Sequence, residues 1–341
     1  MRWPIKDHIK FNYDGDDLLN TLQLSADKAH DLQHAACLLK QGKLVALPTE
    51  TVYGLAADAT QPLAVKGIFA AKGRPANHPL IVHIGEISQL TDWAADIPPQ
   101  AYALAKAFWP GPLTLLLPKG ERASSVVTGG LDTIAIRMPA HPVILSILQE
   151  HKLAVAAPSA NPYKQLSPTT AEHVIAGLDG KIEAVLDGGD CLFGLESTII
   201  DLTTDQIRVL RAGPITANEL SEVLGESVDY PTHHSMAVPG NVGSHYQPKT
   251  LLRLVDNIEQ AIINRDKKST YAVIHTSQLV DDGGITSFQM PIDAASYGKK
   301  LYRSLADADK LQPDEIWLER PPQGEAWNAV NDRLSRAALP L

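Results

Sequence analysis

The run Leu44-Val45-Ala46-Leu47-Pro48-Thr49-Glu50-Thr51-Val52-Tyr53-Gly54-Leu55 decides how this chain is read. Its first four residues form a short apolar stretch that suits a buried strand. Pro48 has no backbone N–H to give a ladder, so it ends that strand. Three side chains bearing oxygen then leave the sheet edge together, a usual place for a ligand site in an α/β protein. Further on, Lys72-Gly73-Arg74-Pro75 sets two cations in a Gly/Pro turn, and Pro79-Leu80-Ile81-Val82-His83 follows. Polar oxygens beside fixed cations point to a pocket for a small polar molecule and an anion.

Outward from this run, two periods alternate. Residues 25–41 predict a first long helix, with Ser25 able to cap it, Ala29, Leu32, Ala36 and Leu39 at helical spacing, and Gly42 as a left-handed exit. A helix near 61–71 opens with Pro62 in its first turn. Strand-like runs lie at Leu80-Ile84, Leu113-Leu117, Thr133-Arg137, Ala154-Ala157, Ala184-Asp187, Thr198-Leu202 and Ile207-Leu210. Helical segments lie near 99–108, 141–150, 169–178 and 216–224. Such alternation predicts an α/β domain on a mainly buried, mixed sheet. Residues 225–249 show neither period and read as a linker. Strands at 251–255, 270–275 and 315–319 and helices at 257–264, 294–306 and 325–338 then predict a second, smaller Rossmann-like α/β domain. It carries no GxGxxG, so nothing supports nucleotide binding there.

The bulk properties agree. At 341 residues the chain exceeds one ordinary core, which predicts two domains. No apolar run approaches the ~20 residues of a membrane span, and Met1-Arg2-Trp3-Pro4-Ile5-Lys6-Asp7 lacks the apolar core of a signal peptide. Only Cys37 and Cys191 occur, far apart, which fits a reducing compartment and argues against structural zinc. The expectation is a cytoplasmic protein without a membrane partner. A net charge of −9 speaks against a tight grip on a nucleic-acid backbone and favours a small-molecule substrate.

There is no P-loop, no GxSxG, no HExxH and no kinase signature. His30 with His34 and the pair His233-His234 read as solvated polar residues, since no Cys or carboxylate joins them in register. Lys72 and Arg74 are donors suited to a phosphate or carboxylate, although such a pair taken alone is more often a solvated turn. Arg137 closes an apolar strand, so its charge requires an anionic partner from protein or ligand. Ala156-Ala157-Pro158-Ser159-Ala160-Asn161 offers a hydroxyl, an amide and small residues. Ser167-Pro168-Thr169-Thr170 opens a helix that could meet phosphate or simply be capped. Asp187-Gly188-Gly189-Asp190 and Gly194-Leu195-Glu196-Ser197-Thr198-Ile199-Ile200-Asp201 read as a tight loop feeding a strand; their acidic residues could hold Mg²⁺, but turn chemistry explains Asp and Gly there more cheaply. What counts is that these groups all stand at the ends of apolar runs, as a shared pocket requires.

In order, PTETVYGL, KGRP with PLIVH, WPGPLTLLL, GLDTIAIRMPAHP, APSAN, SPT, DGG, GLESTIID and RAGPIT resemble the YrdC-like family in its two-domain form. The resemblance is dense over residues 25–218. It continues more loosely through the PG…SHYQP linker to Ala326-Trp327-Asn328 and Arg336-Ala337-Ala338. It implies an open twisted α/β sheet around a positively charged cavity, with a catalytic domain over 1–220, a lid-like linker over 221–249 and a C-terminal domain over 250–341. The implied enzyme is a nucleotidyltransferase that makes L-threonylcarbamoyl-AMP from ATP, L-threonine and bicarbonate, releasing pyrophosphate. Mg²⁺ would arrive with ATP, and a partner transferase would pass the group to adenosine 37 of tRNA. Thr51, His83, Arg137, Ala157 and Ser197 would hold threonine. Lys72 and Arg74 would serve catalysis and the triphosphate, and His78, Thr133, Ser159, Asn161, Ser167, Arg211 and Tyr246 the ATP side. Some members carry a linker Tyr where this chain has Gly243, which leaves Tyr246 as the candidate for that role. Three other readings are a carbamoyl-adenylate-forming relative, disfavoured by the lack of CxxC, an RNA-binding module, disfavoured by the net charge, and a non-catalytic structural protein, which leaves Lys72, Arg74 and Arg137 without a purpose; direct tRNA binding is expected to be weak or absent.

Overall fold

A computed structural model of the chain describes residues 20–231, 236, 238–240, 246–279 and 284–338. Ten strands form one sheet: β1 (Leu22–Ser25), β2 (Val45–Leu47), β3 (Gly54–Asp58), β4 (Ile81–His83), β5 (Leu113–Pro118), β6 (Thr133–Arg137), β7 (Val155–Ala156), β8 (Ala184–Asp187), β9 (Thr198–Asp201) and β10 (Arg208–Arg211). Their order is β1-β8-β2-β3-β7-β4-β6-β5-β9-β10. Pairing is mixed, as in the parallel β4–β6 and the antiparallel β2–β3. The strands β2 and β3 are buried at every residue, which explains the unbroken apolar character of β2 and of β3 up to Asp58, whose carboxylate accepts from Thr60 and Gln61.

A second sheet of β11 (Leu251–Val255), β12 (Tyr271–His275), β13 (Ile285–Gln289) and β14 (Glu315–Glu319) is parallel throughout, in the order β11-β14-β12-β13. This matches the expected Rossmann-like alternation. Its core also takes in Val52, Leu195 and Ala212 from the first sheet's loops, together with Tyr246 of the linker. The linker residue Val238 packs on Ile81, Leu116, Ala135, Ile199 and Leu210, so this stretch of linker crosses the first sheet.

The helix Pro62–Lys72 shows how local sequence aims functional groups. Pro62 starts it where a missing N–H costs nothing, and Gly73 ends it at φ +63. Lys72 is thus fixed in the last turn and Arg74 one step past it. One expectation fails. Ser25 does not cap the first helix, which runs Ala29–Lys40 behind Lys28; it is the last residue of β1. Pairing of Leu22–Ser25 with Ala184–Asp187 outweighs the cap, and the Asp31 carboxylate accepts the Ser25 N–H at 2.9 Å. The strands β1, β3 and β13 were absent from the sequence reading. The helix expected from about 169 starts at Ala171 with Thr170 as its cap, whose hydroxyl accepts the His173 N–H.

Candidate active site

The strands β4 and β6 end side by side, with His83 opposite Arg137 in register. The loop between β2 and β3 arrives over them. Arg137 is buried and fully engaged along one edge: Nε donates to Gly111 O at 3.1 Å, Nη1 to Thr51 Oγ1 at 2.9 Å, and Nη2 pairs with Glu50. The anion that a buried arginine requires is therefore Glu50. Thr49 spends its one hydroxyl proton on Val52 O at 2.6 Å. Thr51 must then donate to Thr49 Oγ1 at 2.9 Å while accepting from Arg137. This relay gives the Thr/Glu/Thr loop one conformation.

His83 is buried, and burial followed by the Arg137 charge lowers its pKa to about 3. It is a neutral imidazole, and Nδ1 has no hydrogen-bond partner among the described residues, nor has Glu50 Oε2. Of these two residues His83 lines the pocket, where an orphaned polar atom suits a polar ligand.

Across from this wall stands Arg211 at the end of β10. Its Nε donates to Ser197 O at 3.0 Å, Nη2 to Ser197 Oγ at 2.9 Å, and Nη1 to Pro239 O of the linker at 3.0 Å. Ser197 Oγ also lies 2.7 Å from Thr114 Oγ1. Arg74 donates Nη2 to Pro79 O at 2.9 Å, and burial brings its pKa down to about 10, so it stays charged at neutral pH. Glu196 sits at the rear. Burial alone would raise its pKa, but Arg333 and Arg211 with their hydrogen-bonded neighbours hold it down to about 2.

Of the residues singled out in the sequence, Thr51, His83, Arg137, Ala157, Ser197, Arg74, Ser159, Arg211 and Tyr246 line this one pocket. Asn161 and Ser167 line a neighbouring cleft of about 440 Å³ between the helices Ala171–Leu178 and Ala294–Lys310. Lys72 lines neither; its buried ammonium donates to the carbonyls of Ser159 and Asn161 and so braces that loop from behind. His78 packs edge-on against Tyr163 at 5.6 Å, and Thr133 begins β6; neither lines the pocket. Pro239, Gly240 and Tyr246 close the pocket to about 50 Å³, well below an ordinary ligand cavity. Gly243 lies outside the described residues.

A family model named Sua5/YciO/YrdC, described as telomere recombination, matches residues 37–213. The chain belongs to this family. A second model, described as the threonylcarbamoyl-AMP synthase C-terminal domain, matches residues 215–339. The Sua5/YciO/YrdC chain is 40% identical to the threonylcarbamoyl-AMP synthase of Pyrococcus abyssi, covering 89% of this chain and 93% of that one. It is 38% identical to the protein of that name from Bacillus subtilis, covering 90% and 92%. The crystal structure of P. abyssi Sua5 complexed with L-threonine superposes with a TM-score of 0.86 at 37% identity, over 93% of this chain and 97% of that one.

Two members of the site went unnoticed in the sequence reading of this Sua5/YciO/YrdC chain. Glu50 stood in the opening motif, but nothing local marks it as the partner of Arg137, 87 positions away. Arg333 did leave a signal. It falls on the buried face of its helix with Ala329, Val330, Leu334 and Ala337, where an unpartnered charge does not belong.

Proposed function

We propose that this chain makes L-threonylcarbamoyl-AMP from ATP, L-threonine and bicarbonate with release of pyrophosphate, the first step of N6-threonylcarbamoyladenosine formation at position 37 of tRNA. The observation that carries the reading is that one pocket is lined by Arg137, paired with Glu50, together with Arg74 and Arg211, whose hydrogen bonds go to uncharged oxygens. The relatives' shared name and the threonine-bound relative support it.

In this reading Arg137 takes the threonine carboxylate, using guanidinium N–H groups left over from Glu50, Gly111 and Thr51, while Thr51, its own proton given to Thr49, holds the guanidinium in place beside the ligand. Neutral His83 and Ser197 orient the rest of the amino acid. The amine takes up bicarbonate carbon with loss of water to give a carbamate, whose oxygen then attacks the α-phosphorus as pyrophosphate leaves. No enzyme nucleophile is needed. The protein supplies alignment and the charges of Arg74 and Arg211 against the developing negative charge, which makes it a nucleotidyltransferase. Ser159, Asn161 and Ser167 are assigned to the nucleotide, with Lys72 holding their loop. His78 and Thr133 keep an ATP-side role only if nucleotide binding moves them toward it.

Among the described residues no three His, Cys, Asp or Glu side chains gather to hold a metal, so Mg²⁺ is assigned to the substrate as MgATP. Of the expected lid over 221–249, residues 221–224 belong to the helix Ala217–Leu224 and Val228 to the first core, so the opening for ATP and the closing over a water-sensitive intermediate are assigned to the linker around Pro239, Gly240 and Tyr246. A transferase for tRNA is the downstream partner. Among the described residues no helix is long and apolar enough to cross a membrane.

The test is pyrophosphate release with MgATP, with and without L-threonine and bicarbonate. Strict dependence on both, with L-serine much poorer, is the expected result. Release that ignores threonine would sink the assignment in favour of a carbamoyl-adenylate-forming activity.

A further inference from the structure

One guanidinium from the second domain reaches three pieces of the pocket wall. Arg333 lies on the helix Asn328–Ala337 and is 1% exposed. Its Nε donates to Glu196 Oε2 at 2.8 Å and its Nη2 to Ala212 O at 2.9 Å, while Nη1 pairs with Asp332. The same group sits 5.3 Å from the centroid of the Tyr246 ring, which also stacks on Tyr302 at 5.8 Å. Glu196 adjoins Ser197, Ala212 adjoins Arg211, and Glu196 and Tyr246 line the pocket themselves. Glu196 further accepts from Ser167 Oγ at 2.6 Å and Tyr302 OH at 3.1 Å.

A buried ion pair is a poor device for stability alone, because desolvating both charges offsets most of their attraction. Here it does something an apolar contact could not. Glu196 places a carboxylate in a pocket meant for a polyanion, and Arg333 neutralises it while fixing the backbone at Ala212, next to Arg211.

We propose that Arg333 is a positioning residue for the nucleotide half of the pocket, through which the C-terminal domain sets the placement of Arg211, Glu196 and Tyr246. The idea rests on the ATP-dependent reading above. It predicts selectivity: the ATP wall depends on this fork, whereas Arg137 is held by Gly111, Thr51 and Glu50, away from it.

The test is calorimetric binding of ATP and of L-threonine, separately, to the full chain and to Arg333→Lys and Arg333→Gln. Lysine keeps the charge but cannot reach Glu196 and Ala212 together. Arg333→Lys is expected to weaken ATP by about tenfold, the worth of one charge-assisted hydrogen bond, with threonine changed by less than about twofold. Arg333→Gln should weaken ATP further; should it fail to fold, the lysine variant decides alone. Wild-type ATP affinity in Arg333→Lys would overturn the proposal by reducing Arg333 to a counter-charge. Equal weakening of both ligands would overturn it by reducing Arg333 to a structural strut. A wild-type chain that binds ATP but releases no pyrophosphate with threonine would refute the proposed reaction and leave the Arg333 comparison readable.

Discussion

Replacing Arg137 by methionine separates what this side chain does for the fold from what it does for threonine. The substitution leaves Glu50 buried, with the guanidinium partner of Oε1 gone and Oε2 already without one. Removing one member of a buried pair costs about 3–5 kcal/mol. At roughly 2–4 °C per kcal/mol for a domain of this size, melting should drop by on the order of 10 °C. Threonine would lose two charge-assisted hydrogen bonds of about 1.5–3 kcal/mol each, an affinity loss of at least about a hundredfold.

Adding Glu50→Gln to Arg137→Met pulls these effects apart. The double variant no longer strands a charge, so most of the lost melting temperature should return, while threonine affinity should not. Differential scanning fluorimetry reads the first quantity and calorimetry the second. If Arg137→Met binds threonine as the wild type does, the carboxylate assignment is wrong. If the double variant regains both stability and binding, Arg137 matters only because it satisfies Glu50.

His83 has a folded pKa near 3, below its ordinary 6.5, so its stabilising contribution is complete above pH 6.5 and is lost as pH falls from there toward 3. His83→Asn should remove about 1.4 kcal/mol of that loss per pH unit, seen as a smaller fall in melting temperature between pH 7 and pH 5; equal falls would count against a buried neutral imidazole. At Gly213 an added Cβ would stand 2.2 Å from Thr198 N and 2.5 Å from Ser197 C. Gly213→Ala should therefore displace the backbone under Ser197, costing about 1–3 kcal/mol and lowering kcat/KM for threonine, and wild-type kinetics would show that the loop yields freely. Lys72→Met should lower the melting temperature by leaving two carbonyls without donors, at about 1–3 kcal/mol each, and weaken ATP along with it. Weaker ATP at an unchanged melting temperature would mean that the ammonium serves phosphate directly.

The apolar runs that build β2, β5, β6, β8 and β9 were legible because strands covered on both faces leave little choice of residue. The strand β1 was not, since only Leu24 of its four residues is buried hydrophobic and its pairing with β8 spans the whole domain. The same contrast holds at the site. Arg137 announced its need for an anion by ending an apolar strand, yet whether that anion was protein or ligand depended on a contact far away in sequence. Lys72 and Arg74, two residues apart, look equivalent in a line of text. The left-handed Gly73 between them sends one ammonium into the Ser159–Asn161 backbone and leaves the other cation on the pocket wall.

How each cation is held also explains the division of the pocket. Arg137 is tempered by Glu50, and a guanidinium already paired with one carboxylate suits a monoanion such as an amino acid. Arg74 and Arg211 give their hydrogen bonds to uncharged oxygens of Pro79, Ser197 and Pro239, so their charge is oriented without being cancelled. In a water-poor cavity such oriented charge is what a polyphosphate needs as negative charge builds on it. Glu196 would spoil this arrangement if left bare, and the residue that cancels it comes from the other domain. A chain lacking the helix Asn328–Ala337 would keep the Arg137 contacts with Gly111, Thr51 and Glu50 and still present a carboxylate to ATP. The second domain is thus part of the active site by electrostatics, although no residue of its sheet touches the pocket.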